Sequence, residues 1–150
     1  MNRSHDTTGL ALLLGGVTLA AATALFLPVL HFRGPDQALL GLSAWQAVPL
    51  VTLLKFAVLG AALAAAFLPR LQPLRVPIIA AAVAMTFLPA LAALVAGVYH
   101  WSSLREAIVA LSGNRSPWID PGWGIVALGV AALMLVGAAV RAARAEPRPA

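Results

Sequence analysis

The stretch "VTLLKFAVLGAALAAAFLPRLQPLRVPII", residues 51–79, sets two apolar runs either side of a short turn rich in proline and arginine. A helix crosses about 30 Å of hydrocarbon with about 20 residues, each rising ~1.5 Å. Working outward from this turn, four runs have that length: about 9–29, 48–68, 76–99 and 122–140. Pro28 and Pro69 close the first two. Pro77 sits at the start of the third, where a missing amide hydrogen costs least. Pro89 lies inside the third run and predicts a kink there.

Composition agrees with this reading. Of 150 residues, 61% are hydrophobic and 10% charged, with a mean hydropathy of +0.92. Water-soluble domains carry nearer about a quarter of their residues as charges. The sequence therefore predicts an all-α fold, a polytopic membrane protein built as a four-transmembrane-helix bundle. Residues 1–140 form a single domain, and the proline-rich basic tail 141–150 is expected to be disordered. The first run could also be a signal peptide, with Arg3 as its basic region and "AAATA" as a cleavage site. Asp6 weakens that reading, and the apolar stretch continues past the small residues to Leu30.

The net charge of +5 does not point to nucleic acid, because the basic residues are scattered at the ends of apolar runs, without a stripe of interleaved aromatics. The absence of cysteine removes thiol–disulfide exchange and thiolate metal sites. The arginines give an orientation. Arg3, Arg70, Arg75, Arg141, Arg144 and Arg148 lie in the amino end, the middle turn and the tail, against Asp6 and Glu146. In the other two loops Arg33, Arg105 and Arg115 are balanced by Asp36, Glu106 and Asp120. The positive-inside rule then puts both termini in the cytoplasm, in a membrane whose composition suggests a bacterial inner membrane. Trp45, Trp101, Trp118 and Trp123 all fall at the outer ends of runs, as an interfacial aromatic belt would.

Both outer loops carry helix signals, and a short amphipathic helix is expected in each. In "HWSSLREAIVALSGNRSPWIDPGWG", Ser103 and Glu106 have the spacing of a capping box. Leu104, Ile108 and Leu111 then share a helical face, and Gly113 is placed to end the helix. In "GPDQALLGLSAW", Pro35 and Asp36 mark a helix start before Leu39, Leu40 and Leu42. Ser43 and Gln46 fit a second capping box leading into the second span. Such helices either plug the outer end of the bundle or offer a docking surface for a partner or lipid.

Lys55 is the only lysine, and it stands inside an apolar run. It lies about 10 Å below the outer end of its span, and a stem of about 6 Å shortens that gap without closing it. A charge so placed should face the bundle interior and find acceptors. No run contains an acid, so the candidate partners are Asp36, Glu106 and Asp120 from the outer loops, with Thr52 as weaker help. Two readings stay open: a structural pin to one of those acids or to an exposed carbonyl, and a functional role as a site for an anionic headgroup or substrate or as a proton-coupled position, although proton relays usually show an acidic partner. His31 and His100 lie at the outer ends of the first and third runs, where they could share a metal or haem, although no supporting cluster accompanies them. Met85 and Met134 read as packing residues. The small-residue spacings Ala57/Ala61/Ala65 and Ala93/Gly97 permit close helix contact. No catalytic constellation appears, so no enzyme activity and no cofactor are expected.

The segments "LPVLHFRGPDQALLGLSAW", "VPLVTLLKFAVL" and "IDPGWGIVALGVAALMLVGAA" resemble the membrane domain of the paraquat-inducible protein A family. The positions that match are Leu27-Pro28-Val29, Gly41, Trp45, Val48-Pro49-Leu50, Lys55 and Asp120-Pro121-Gly122, spread over most of residues 26–140. The family's W-S-M-x-D-V-F signature is missing from the third run, the proline-to-lysine spacing is longer, and the zinc-binding cysteines of some members are absent. The resemblance implies a partner of a lipid-transport system in the cell envelope. From the residues alone, the expected role is a non-enzymatic accessory, assembly or scaffold subunit. Its expected partners are membrane lipids and a larger membrane protein complex; the residues identify no small-molecule ligand. The alternative is a protein that handles lipid or a small solute through an interior site at Lys55.

Overall fold

The computed structural model describes residues 7–34, 38–113 and 117–145. Four of its helices are long and apolar enough to cross a membrane. They are α1 (Thr7–Phe26), α3 (Pro49–Phe67), α4 (Arg75–Tyr99) and α6 (Gly124–Ala145). Between them come β1 (Pro28–Arg33), β2 (Ala38–Ser43), a one-turn helix α2 (Ala44–Ala47), the amphipathic helix α5 (Trp101–Ser112) and β3 (Trp118–Pro121). A 3₁₀ segment, Pro69–Leu74, joins α3 to α4.

The long helices pack in the ring order α1, α6, α4, α3, with α1 touching α3 to close it. The contact of α1 on α6 is the most extensive and relies on glycine. A Cβ added to Gly16 would lie 2.9 Å from Leu135 Cγ and 3.1 Å from the Ala131 carbonyl. Much of the outward surface is apolar, including Leu50, 81% exposed, and Leu133, 74% exposed. Such a surface is costly in water and costs nothing in hydrocarbon.

The expectation of an all-α fold needs correction, because β2, β1 and β3 form a three-stranded antiparallel sheet in that order. The run expected to be helical over about 9–29 leaves the helix at Phe26 and enters β1 at Pro28. The residue before a proline is biased away from helix, which favours that exit. The first outer loop was likewise expected to carry an amphipathic helix through Leu40 and Leu42, and both lie instead in β2. Two features favour the strand. Ser43 must adopt extended dihedrals to cap α2, and does so at φ −74°, ψ 163°. Gly41 leaves room for the cross-strand His31 ring, whose Cδ2 would stand 3.1 Å from an added Cβ. Pro35 and Asp36, the expected helix start, lie outside the described residues.

The sheet fills a step in the bundle. α4 has 25 residues, whereas α1 has 20 and α3 has 19. β1 packs against the last turns of this longer helix. Val29 and Leu30 of β1 join Ala90 and Ala93 of α4 in one buried cluster. An added Cβ at Gly97 would meet both Leu30 and Ile119 at 3.6 Å. Of the small-residue spacings, Ala93 and Gly97 thus lie at a packed contact, while Ala57 and Ala61 are exposed.

The second outer loop does contain a helix, and Gly113 ends it in the left-handed conformation at φ 68°, its N–H donating to the Val109 carbonyl at 2.9 Å. Its start differs from expectation. α5 begins at Trp101 with only His100 between it and the end of α4, and His100 stands at the N-cap without a side-chain cap. Ser103 and Glu106 are exposed residues inside the helix, so the capping box expected of them does not form. α4 runs unbroken through Pro89. α6 extends to Ala145, past the expected boundary at 140, and residues 146–150 of the tail lie outside the described residues.

Candidate functional site: a polar layer between two apolar cores

The buried interior divides into two clusters along the bundle. Towards the 3₁₀ turn lie Leu13, Val17, Ala20, Leu59, Ala62, Ile79, Ala82, Leu135 and Ala138. Towards the sheet lie Ala24, Val29, Leu30, Ala44, Ala90, Ala93 and Leu128. Polar side chains occur where the clusters meet. On α1, Thr23 falls between Ala20 and Ala24. On α3, Thr52 and Lys55 precede Leu59, and on α4, Thr86 falls between Ala82 and Ala90. All four polar residues are 0% exposed.

Each threonine satisfies its hydroxyl within its own helix. Thr23 donates to the Leu19 carbonyl at 2.7 Å, Thr52 to Val48 at 3.0 Å and Thr86 to Ala82 at 2.8 Å. This back-bonding from i to i−4 lets a hydroxyl sit in an apolar interior without a partner on another helix, and it tends to bend the helix. Lys55 is different, because its donors have no reach along α3. Its Nζ crosses to α4 and donates to the main-chain carbonyl of Thr86 at 3.3 Å. Pro89 supplies no amide hydrogen to the Met85 carbonyl four residues back, which loosens the helix ladder one residue before Thr86. The lysine thus binds the main chain in the turn before Pro89. Lys55 lies about 18 Å from the far end of α3 at ~1.5 Å per residue, well inside the thickness of a hydrocarbon layer.

The acids considered for Lys55 stand elsewhere. Asp120, on β3, accepts from Trp118 Nε1 at 3.1 Å and lies 3.5 Å from Arg33 Nε, with both charged partners substantially exposed. Glu106 is exposed on α5, where it lines an open groove of about 510 Å³ with Ser102, Arg105, Val109 and Ala110. Asp36 lies outside the described residues. Among the described residues, no carboxylate comes within ion-pair distance of Lys55. His31 sits mid-strand opposite Asp120 and Gly41. His100 is exposed at the α4–α5 junction, edge-on to Tyr99 with ring centres 5.1 Å apart. Among the described residues there is no group of three metal-binding side chains.

The Asp-Pro-Gly turn is a joint of the sheet end. The Gly122 N–H donates to the Val29 carbonyl at 2.9 Å. A Cβ on Gly122 would stand 2.1 Å from the Pro28 carbonyl oxygen, and one on Gly124 2.7 Å from the same atom. Only glycine allows that approach. Trp45 stacks on Phe56 with ring centres 6.3 Å apart, and Trp101 on Phe32 at 6.4 Å. All four tryptophans therefore belong to the sheet end, in α2, α5, β3 and the turn before α6. The sequence offered a carbonyl as one possible acceptor for Lys55 but did not identify that of Thr86. The signal available for it was Thr86 three residues before Pro89 in an otherwise apolar run.

The fold and this layer define a mostly helical bundle with four membrane-length helices and a small sheet at one end. No protein-family model, curated protein or solved structure matches the chain.

Proposed function

We propose that this chain is an integral protein of a bacterial inner membrane, with both termini in the cytoplasm and the sheet end outside. In this reading it serves as a non-enzymatic accessory, assembly or scaffold subunit of a larger membrane complex. The observation that carries the proposal is the enclosure of Lys55, which spends an interior amine on joining α3 to α4 through a main-chain carbonyl. Of the outer acids, the described ones, Asp120 and Glu106, are engaged or exposed away from it, which suits a rigid body better than a reacting centre.

Lys55→Met keeps the apolar volume and removes the bond. It is expected to cost about 1 kcal/mol or less, the usual net value of one such hydrogen bond, in water or between membrane helices. The amount of protein in the membrane should fall, and the remainder should still co-purify with its partner after mild detergent extraction. A protein that elutes alone in every detergent and lipid tested would sink the accessory role.

A second reading draws on the donors of Lys55. An ammonium offers three N–H groups, and one acceptor is found among the described residues. The other two could serve an anionic lipid or solute, in keeping with the resemblance to the paraquat-inducible protein A family and its envelope lipid transport. That reading requires Lys55→Met to abolish function at an unchanged protein level.

A further inference from the structure

Among the described residues, the end of the bundle opposite the sheet holds charges of one kind. Arg70 lies within the 3₁₀ segment, Arg75 directly follows it, and Arg141 and Arg144 stand in the last turns of α6, whereas both described carboxylates, Glu106 and Asp120, lie at the sheet end. Asp6 and Glu146, outside the described residues, leave this end of the sequence in arginine excess. α4 and α6 pack directly on one another, and Ile79 shares a buried cluster with Ala138 and Ala142. Arg75, one turn before Ile79, and the arginines in the last turns of α6 thus stand at the same end of two helices in contact.

Arg75 carries the second observation. Its Nε is buried and has no hydrogen-bond partner among the described residues. A buried donor left unpaired is costly, and a guanidinium nitrogen is best satisfied by an oxyanion. The helix that Arg75 opens has no acidic side chain in its first turn and no capping side chain, so nothing of its own offsets the positive end of its dipole. Among the described residues every basic side chain at this end is an arginine, and the guanidinium fork matches a phosphate where an ammonium offers only a point charge.

We infer that the seam between the start of α4 and the end of α6 binds the phosphate of an anionic membrane lipid, with Arg75 as the central contact and Arg70 and Arg144 around it. Basic pockets between spans on the cytoplasmic side suit such headgroups. The inference rests on the membrane-spanning reading and is independent of the accessory role.

The test uses the full chain purified in a neutral detergent and exposed to phosphatidylglycerol or phosphatidylcholine with the same acyl chains. Native mass spectrometry reads the bound lipid. Phosphatidylglycerol should be retained at least about tenfold better than phosphatidylcholine, a difference a charge-assisted contact can supply. Arg75→Gln should remove most of that preference, and Arg105→Gln at the sheet end should leave it intact. If Arg75→Gln does not yield a monodisperse protein, Arg75→Lys and Arg144→Gln take its place, each expected to show a preference reduced several-fold.

Equal retention of the two lipids would overturn the inference, as would equal losses from Arg75→Gln and Arg105→Gln. Displacement of the lipid by inorganic phosphate alone would mark a free-anion site and overturn it too. A chain that alkaline carbonate strips from membranes would break the spanning reading itself. Lost lipid preference in a chain that stays embedded breaks only this inference.

Discussion

The two connections at the sheet end carry the same local signals and fold differently. Residues 34–48 and 100–123 each contain leucines at helical spacing, and each has a serine followed three residues later by glutamine or glutamate. In the first, the Ser43 hydroxyl accepts from the Gln46 N–H at 3.4 Å, and the Gln46 side chain accepts from the Ser43 N–H at 2.9 Å. In the second, Ser103 and Glu106 are simply exposed on a helix already under way. What differs is the chain before the serine. β2 delivers Ser43 in the extended geometry a cap requires, whereas a single residue separates α4 from α5, and the Leu104 N–H donates to the His100 carbonyl at 3.0 Å. A capping box is a conditional signal, and the condition is the incoming backbone direction.

The sharpest way to break this comparison is to remove the sheet that sets it up. Gly122→Ala would drive a Cβ to within 2.1 Å of the Pro28 carbonyl oxygen, where only backbone can yield. We expect a loss of about 3 kcal/mol, the upper range for overpacking, in the unfolding free energy measured in bicelles. Gly60→Ala, with nothing within 4 Å of the added atom, serves as the control and should change little.

Ser43→Ala comes next, at about 1 kcal/mol for a lost N-cap, read by the same unfolding measurement. Asp120→Asn should be smaller still. Its partner Arg33 is substantially exposed, so the pair contributes about 0.5 kcal/mol or less, and the difference from wild type should shrink further as salt rises. Ser103→Ala is the smallest, within about 0.5 kcal/mol of wild type, as for other exposed positions. A cost at Ser103 equal to that at Ser43 would mean that both boxes are formed and that the contrast between the two loops is false.

The legible parts of the fold were those decided by summed composition. The four long helices follow from apolar runs of membrane length, and no neighbour has to be known to read them. Gly113 was legible for a similar reason, since a glycine after an amphipathic run is a local stop signal. The three strands were not. Pro28–Arg33 is six residues at the end of a longer apolar run, and its extended form depends on pairing with β2 on one side and β3, about ninety residues later, on the other. The candidate site was half legible. Lys55 stood out as a charge among leucines, but its acceptor is a main-chain carbonyl, and every residue has one.

The sequence alone determined that this chain builds four long apolar helices, with an excess of arginine over acids at one set of ends and tryptophan at the other, because hydropathy and charge add up along the chain without reference to what packs where. Only the tertiary structure decided which helices are neighbours, that the taller α4 is matched by a sheet, and that Lys55 reaches Thr86 and not Asp120 or Glu106. Those outcomes turn on distances between residues far apart in the chain. A hydrogen bond or a clash is settled within a few tenths of an ångström, and the order of residues does not carry that information.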